Sequence, residues 1–346
     1  MAAFAESSPT LLVSLCSFGL SYCIAETSTR RGRRSDLMLL LSCYNERLVS
    51  VSHGRSFFNL KSYVPLMALF LVWVSAFWIM AQANAADQDP NTWVWNNPKD
   101  LGIEGLQHQT LHSKSMNRQV GYQIYLPPQY KSEPRRSFPV VYFLHGAGGN
   151  ESSDAGLAAL VHTEILAERI RPTIYVFPNG GKRSGYRDSK ESYVRAETLL
   201  VNELGTAIDQ EFRTIDNASS RLLCGFSMGG GGAVRLALKY PDRFGAAASL
   251  AAALDTSIDS GGGDNCYVHA SALSEEKRND LRLYLVVGDE DFLYPRHDPF
   301  LKFLKTLGVA YTLVVHSEVS HNLGVLSRLS ADSMIRFLDR QLQSQR

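Results

Sequence analysis

Between residues 221 and 238 the sequence passes from strand to helix through a turn that few residue types can make. Arg221-Leu222-Leu223-Cys224 is an apolar, β-prone run. Gly225-Phe226-Ser227-Met228-Gly229 follows, and Gly230-Gly231-Gly232-Ala233 then opens a helical stretch carrying Val234, Leu236 and Leu238. Glycines on both sides of such a turn let a strand and a helix approach more closely than side chains would permit. A strand that hands over to a helix in this way belongs to an alternating β/α chain.

The rest of the sequence keeps that alternation. Candidate strands are Val120–Leu126, Pro139–Leu144, Thr173–Phe177, Arg221–Cys224, Ala246–Leu250, Leu281–Val287 and Ala310–Val315. Several are continuous apolar runs, as expected of strands covered on both faces. Helical spacing appears in the stripe Leu199, Leu200, Leu204, Ile208 and Phe212, and again in Met334, Leu338 and Leu342 within about Val325 to Leu342. The expectation is an α/β fold: a mostly parallel central sheet with helices on both faces, and short strands at the front as an antiparallel edge. Ligands of such sheets sit at the carboxyl ends of the strands.

Residues 87–346 are of a size for one such domain. Residues 1–86 read differently, as an N-terminal extension. No charge occurs from Ser62 to Ala86, and the apolar stretch 62–80 has Arg55 and Lys61 before it and Ala83-Asn84-Ala85 after it. A basic region, an apolar core and an Ala-x-Ala site make a secretory signal peptide cleaved before Ala86. The alternative is an uncleaved membrane anchor. Both place residues 87–346 outside the cytoplasm, secreted or periplasmic in the first case and membrane-anchored in the second. Residues 1–54 show no clean period; they are a tail before an anchor, or they precede the true start of translation. Charges nearly cancel, 35 Lys+Arg against 34 Asp+Glu, which gives no electrostatic case for a nucleic-acid partner. The cysteines Cys16, Cys23, Cys43, Cys224 and Cys266 lack the Cys-x-x-Cys spacing of a zinc or redox site.

The turn at 225–229 matches G-x-S-x-G, a weak pentapeptide made specific by the strand before it and the helix after it. A serine there is exposed on a strained turn, and its hydroxyl needs an adjacent base. In that arrangement the acid and then the histidine follow the serine along the chain. His321 lies in the loop after the last strand and at the serine's edge of the sheet. His316 closes a strand and reads as packed, and His297, between Arg296 and Asp298, reads as part of a solvated turn. The acid comes from Asp289, Glu290 or Asp291 at the end of Leu281–Val287, and spacing does not choose among them. His145-Gly146-Ala147-Gly148-Gly149 after Pro139–Leu144 offers a backbone N–H, at Ala147, that with the N–H of Met228 would receive a developing oxyanion. His145 itself reads as structural. These glycines are not followed by Lys-Ser/Thr, as a phosphate loop requires.

Taken together, Val120–Pro128, Val140–Gly149, Pro178-Asn179-Gly180-Gly181, Gly225–Gly231, Gly288–Asp291 and Ser320-His321 resemble the putative-esterase family of α/β hydrolases. That family includes esterase D-type thioesterases, feruloyl and acetyl-xylan esterases and mycolyltransferases. The resemblance spans about residue 108 to the C-terminus. It implies the α/β-hydrolase fold and a serine carboxylic-ester hydrolase that uses Ser227, His321 and, as the last residue of a Gly-x-x-Asp run, Asp291. It also implies small-molecule or carbohydrate esters as substrates and no metal or organic cofactor. The membrane would be met only through an uncleaved N-terminal segment.

An acyltransferase would use the same residues, and a non-catalytic binding protein could share the fold. Trp73, Trp78, Trp93 and Trp95 all precede residue 100, which leaves tyrosines such as Tyr186, Tyr267 and Tyr294 as the ring faces for a glycan. Ala251 to Asn279, with Gly261-Gly262-Gly263, shows little regular pattern and reads as a long loop on the alcohol side of the pocket.

Overall fold

Eight β-prone runs pair into one sheet in the computed structural model, which describes residues 21–24, 39–42, 93–189 and 193–343. In chain order they are β1 (Leu106–Ser113), β2 (Arg118–Tyr125), β3 (Val140–Leu144), β4 (Ile174–Pro178), β5 (Arg221–Phe226), β6 (Ala246–Leu250), β7 (Arg282–Gly288) and β8 (Ala310–His316). Their spatial order is β8-β7-β6-β5-β3-β4-β2-β1. Strands β3 to β8 run parallel, and β2 and β1 add the antiparallel edge. Every residue of β3, β4 and β6 is buried, which is why these segments are apolar but for Ser249.

Strand β1 escaped the sequence pattern. Gln107, His108 and Gln109 interrupt its apolar residues, and as the edge strand it keeps much of its length partly or fully exposed.

Alternation along each strand feeds two cores. Val140, Tyr142, Leu144, Val176, Leu223, Ala247 and Leu285 pack with α2 (Gly205–Glu211, continuing the π-helical turn Leu199–Leu204), α3 (Met228–Lys239), α4 (Cys266–Ala272) and α6 (His297–Leu307). Val141, Phe143, Tyr175, Leu222, Ala248 and Val286 pack with α1 (Leu157–Leu166) and α7 (Leu323–Gln343). Each fully buried Val, Leu or Phe contributes about 1.5–3 kcal/mol. The doubly covered centre of the sheet therefore holds its carboxyl-end loops firmly.

The segment expected to be a long irregular loop is instead built. A 3₁₀ turn at Ser260–Gly263 leads into α4, and α5 (Glu275–Asp280) follows. Both helices are short, so periodicity is hard to see. Their signal lies in the caps: the Asn265 side chain accepts from the Val268 N–H and that of Ser274 from the Lys277 N–H.

The chain divides into the units Met1–Ser75 and Ala76–Arg346. In the first, Ser21–Ile24 pairs antiparallel with Leu39–Ser42, local order that the sequence had not suggested. The apolar stretch 62–80 and its cleavage site lie outside the described residues. Among the described residues no helix is long and apolar enough to cross a membrane. Cys224 and Cys266 are free and buried, Cys224 in the core under α1 and α7 and Cys266 in the other.

Candidate active site

The carboxyl ends of β3, β5, β7 and β8 bring the chemistry-bearing residues to one edge. Ser227 follows β5 with φ 52° and ψ −113°, a conformation that is strained for any residue but glycine. Its backbone is clamped: its N–H donates to the Leu250 carbonyl, and its own carbonyl accepts from Gly231 and Ala253. The turn requires Gly229. A Cβ there would lie 1.9 Å from the Leu144 carbonyl oxygen and 2.6 Å from that of His145, so α3 can start against the end of β3 only if this position is bare.

His321 sits in the loop after β8. Its Nδ1 is 2.7 Å from Asp291 Oδ2 and its Nε2 is 2.9 Å from Ser227 Oγ. An ionised carboxylate only accepts, so Nδ1 carries the proton and Nε2 accepts from the serine hydroxyl. Asp291 is buried, and its other oxygen accepts from the Leu293 N–H at 2.8 Å.

The neighbouring carboxylates do other things. Glu290 is exposed. Asp289 accepts from the Ser317 hydroxyl and, at 2.8 Å, from the N–H of Glu318, whose φ is 59°. It therefore shapes the turn that carries His321, a supporting role the sequence had not distinguished from a solvated charge.

His297 does not lie in a solvated turn. It is fully buried at the start of α6 with Nδ1 3.1 Å from the Leu293 carbonyl, and burial lowers its pKa below the usual imidazole value. A charged neighbour on either side in sequence concealed an inward-facing side chain. His316 ends β8 and meets Ser330 Oγ at 2.6 Å, packed as expected.

Ala147 and Met228 occupy the ends of paired strands, since Leu144 is in register with Gly225. Neither backbone N–H is spent on another group among the described residues. The Ala147 loop is held from below. His145 Nε2 accepts from the Gly180 N–H at 3.0 Å, so its Nδ1–H donates to the Gly146 carbonyl at 2.8 Å. Burial pushes His145 down to about 4, which keeps it neutral in this role. Asp154 is pushed up to about 6 by burial, against the pull of the Gly146 backbone, and its Oδ2 is sealed from solvent with no hydrogen-bond partner among the described residues.

The irregular lead-in proves to be a brace for this loop. Trp93 Nε1 donates to Asn179 Oδ1 at 3.0 Å, and fully buried Asn179 donates to Glu151 and the Val94 carbonyl. Trp93 thus fixes the strand end that supplies Gly180.

An ionic cluster centred on one buried arginine ties α3 to the segments around residues 186–197 and 255–269. Arg235 of α3, fully buried, pairs with Glu197 at 2.7 Å and Asp264 at 2.9 Å and donates to the Tyr186 carbonyl at 2.6 Å. Arg187 pairs with Asp255 at 2.9 Å. Burial works to raise both Glu197 and Asp264, but Arg235 and Lys239, joined by Tyr240 at Glu197 and His269 at Asp264, outweigh it and hold both carboxyls below their usual range. The sequence offered no sign of this cluster, because its members are scattered from 186 to 269.

Tyr186 and Tyr267 are buried, so they present no ring to a ligand. Among the described residues the exposed aromatics are Tyr193 and Phe292. Among the described residues no group of three or more His, Cys, Asp or Glu is placed to hold a metal ion.

The model of the Putative esterase family matches residues 113–311, more than half of the chain. The chain belongs to this esterase family. An esterase of Mycobacterium tuberculosis is 33% identical over 147 residues, which are 42% of this chain and 31% of that protein. A protein of Xylanibacter ruminicola named endo-1,4-beta-xylanase/feruloyl esterase is 32% identical over 170 residues, 46% of this chain and 23% of its own. The chain therefore spans less than a third of the length of these two relatives.

Among solved structures, a ferulic acid esterase superposes with a TM-score of 0.61 at 23% identity, covering 68% of this chain and 98% of that one. An S-formylglutathione hydrolase from Agrobacterium tumefaciens gives 0.57 at 16% identity, covering 68% and 95%. Together with the sheet order, these likenesses show that the esterase-family chain has the α/β-hydrolase fold.

Proposed function

We propose that the protein is a serine carboxylic-ester hydrolase acting through an acyl-enzyme on Ser227. The observation that carries the reading is the continuous pair of hydrogen bonds Ser227–His321–Asp291, at 2.9 and 2.7 Å, on a strained turn.

In the reading, Ser227 Oγ attacks the acyl carbon as its proton passes to His321 Nε2. Asp291 keeps the imidazole in the right tautomer and stabilises the imidazolium. The N–H groups of Ala147 and Met228 receive the oxyanion. When the tetrahedral species collapses, the C–O bond to the alcohol breaks and Nε2–H protonates the departing oxygen. Water then enters, gives a proton to Nε2 and attacks the acyl carbon. Collapse returns that proton to Ser227 and releases the acid.

The relatives named as feruloyl esterases support acyl or feruloyl esters of carbohydrates as the substrate class. Export through the N-terminal segment completes the reading, and N-terminal sequencing of exported protein should find Ala86 first. Recovery of the full-length chain in membranes would favour the anchor.

A panel of p-nitrophenyl esters of increasing acyl length, with methyl ferulate beside it, tests the activity and its acyl preference. Ser227→Ala should fold normally and lose on the order of 10³-fold or more in turnover. Near-native turnover in that variant would overturn the mechanism. Added alcohols that outcompete water would turn the hydrolase into an acyltransferase.

A further inference from the structure

The imidazole of His321 is in contact with two phenyl rings. Phe226, half-buried, stacks on it with centroids 5.0 Å apart. Phe292 meets it at 4.6 Å and 55°, yet is 70% exposed. A lone exposed phenylalanine usually needs no explanation. Here both neighbours are buried, Asp291 at 2% exposure and Leu293 at 3%, and the turn between them is closed. The Tyr294 N–H donates to the Asp291 carbonyl at 2.9 Å, and the Leu293 N–H donates to the Asp291 carboxylate. Phe292 is thus projected from the tip of a pinned turn, one residue from the carboxylate that orients the base. Its ring leans on that base and leaves most of its surface to water.

We propose that Phe292 is the specificity-determining wall of the leaving-group site, selecting esters whose alcohol carries a ring or another broad apolar face. The proposal rests on the ester-hydrolase reading above. During acylation the Nε2–H of His321 must reach the departing alcohol oxygen. Whatever is bonded to that oxygen is then placed beside the imidazole. Phe226 covers one side of the imidazole, and Phe292 supplies the accessible surface next to it. A ring or the apolar face of a sugar laid against Phe292 would be dehydrated along with it, in offset or edge contact. A methyl group is too small to reach it. Phe292 makes no hydrogen bond and exchanges no proton, so it acts on which ester is bound in the transition state and leaves the chemistry of the bond unchanged.

Methyl acetate and benzyl acetate test this directly. They share the acyl group, and their alcohols are nearly equal in acidity, so the difference between them reports contact with the alcohol. The quantity to read is kcat/KM, which includes steps only through acylation. The wild-type protein should favour benzyl acetate by on the order of tenfold. Phe292→Ala should lower kcat/KM for benzyl acetate on the order of tenfold more than for methyl acetate, removing that preference, and Phe292→Trp should restore it.

Equal losses on both esters, with a displaced pH profile, would show that Phe292 merely supports the imidazole, and the proposal would be wrong. An unchanged preference in Phe292→Ala would also overturn it. If the wild-type protein cleaves neither acetate nor any ester of the p-nitrophenyl panel, the hydrolase reading itself fails and this proposal falls with it. Cleavage of other esters without a benzyl preference would sink only the role of Phe292.

Discussion

Adding one methyl group at position 229 should damage this protein far more than adding one at position 230. The two glycines are adjacent in the first turn of α3, and alanine would gain at most about 1 kcal/mol of helix propensity at either. Their surroundings differ. At Gly230 a Cβ would meet three backbone atoms at 3.2 Å, a tight contact that a shift of a few tenths of an ångström relieves. At Gly229 it would stand 1.9 Å from the Leu144 carbonyl oxygen, 2.4 Å from the carbonyl carbon and 2.6 Å from the His145 carbonyl oxygen. All three are backbone at the end of a fully buried strand, so either the helix or the strand end must move by more than an ångström.

Overpacking of that kind costs about 3 kcal/mol, or about 6–12 °C in midpoint for a domain of this size. Because the displaced strand end carries Ala147, turnover per folded molecule should also fall, on the order of 10²-fold. Urea unfolding and ester turnover of Gly229→Ala and Gly230→Ala, measured side by side, give both numbers. If Gly229→Ala unfolds within 1 kcal/mol of the parent and turns over normally, the close approach of strand and helix is not what holds Ser227 in place.

The two neighbouring carboxylates should separate cleanly. Asp291→Asn should lower kcat by on the order of 10⁴, whereas Asp289→Asn, which loses only the brace of the 317–318 turn, should stay within about tenfold. Arg235→Met should destabilise by about 3 kcal/mol in denaturant. That is the low end for breaking a buried ion pair, because Lys239 and Tyr240 still partner Glu197. The pH dependence of stability should show two opposed groups beside Gly146. His145, at about 4 when folded and about 6.5 when unfolded, binds more protons unfolded, so its contribution grows as pH rises from 4 to 6.5. Asp154, at about 6 when folded and about 3.9 when unfolded, does the reverse between pH 4 and 6. Asp154→Asn should therefore unmask the histidine and steepen the loss on acidification from pH 6 to 4 by about 2 kcal/mol, read from urea midpoints across that range.

The parts of this fold that the sequence reveals are those made by local rules. Ala246–Leu250 was bounded as the structure has it, and the other core strands to within a residue or two, because strands buried on both faces are written as mostly apolar runs. Ser227 was visible because a strand, a bare turn and a helix have to be written consecutively.

What stayed hidden depends on distant partners. Edge strand β1 is polar on its open side. His297 is flanked by charges yet turned inward. The short helices α4 and α5 are marked only by their caps. Choosing among Asp289, Glu290 and Asp291 required the family resemblance, since all three share one loop and only the folded turn distinguishes the carboxylate facing His321 from the one facing residues 317–318. Arg235 reaches Glu197 and Asp264, 38 and 29 positions away, and Trp93 reaches Asn179 across 86 positions, so no local pattern encodes the cluster or the brace.

The central claim is that an acyl group passes through Ser227, and trapping it is the most direct measurement. Protein mixed with p-nitrophenyl acetate and quenched in acid within the first turnover should release one equivalent of nitrophenol rapidly. Peptide mapping by mass spectrometry should then find a single acetyl group on Ser227, absent from Ser227→Ala and removed on further incubation in buffer. Steady turnover without any acetylated peptide, or with the acetyl group on another residue, would contradict the account.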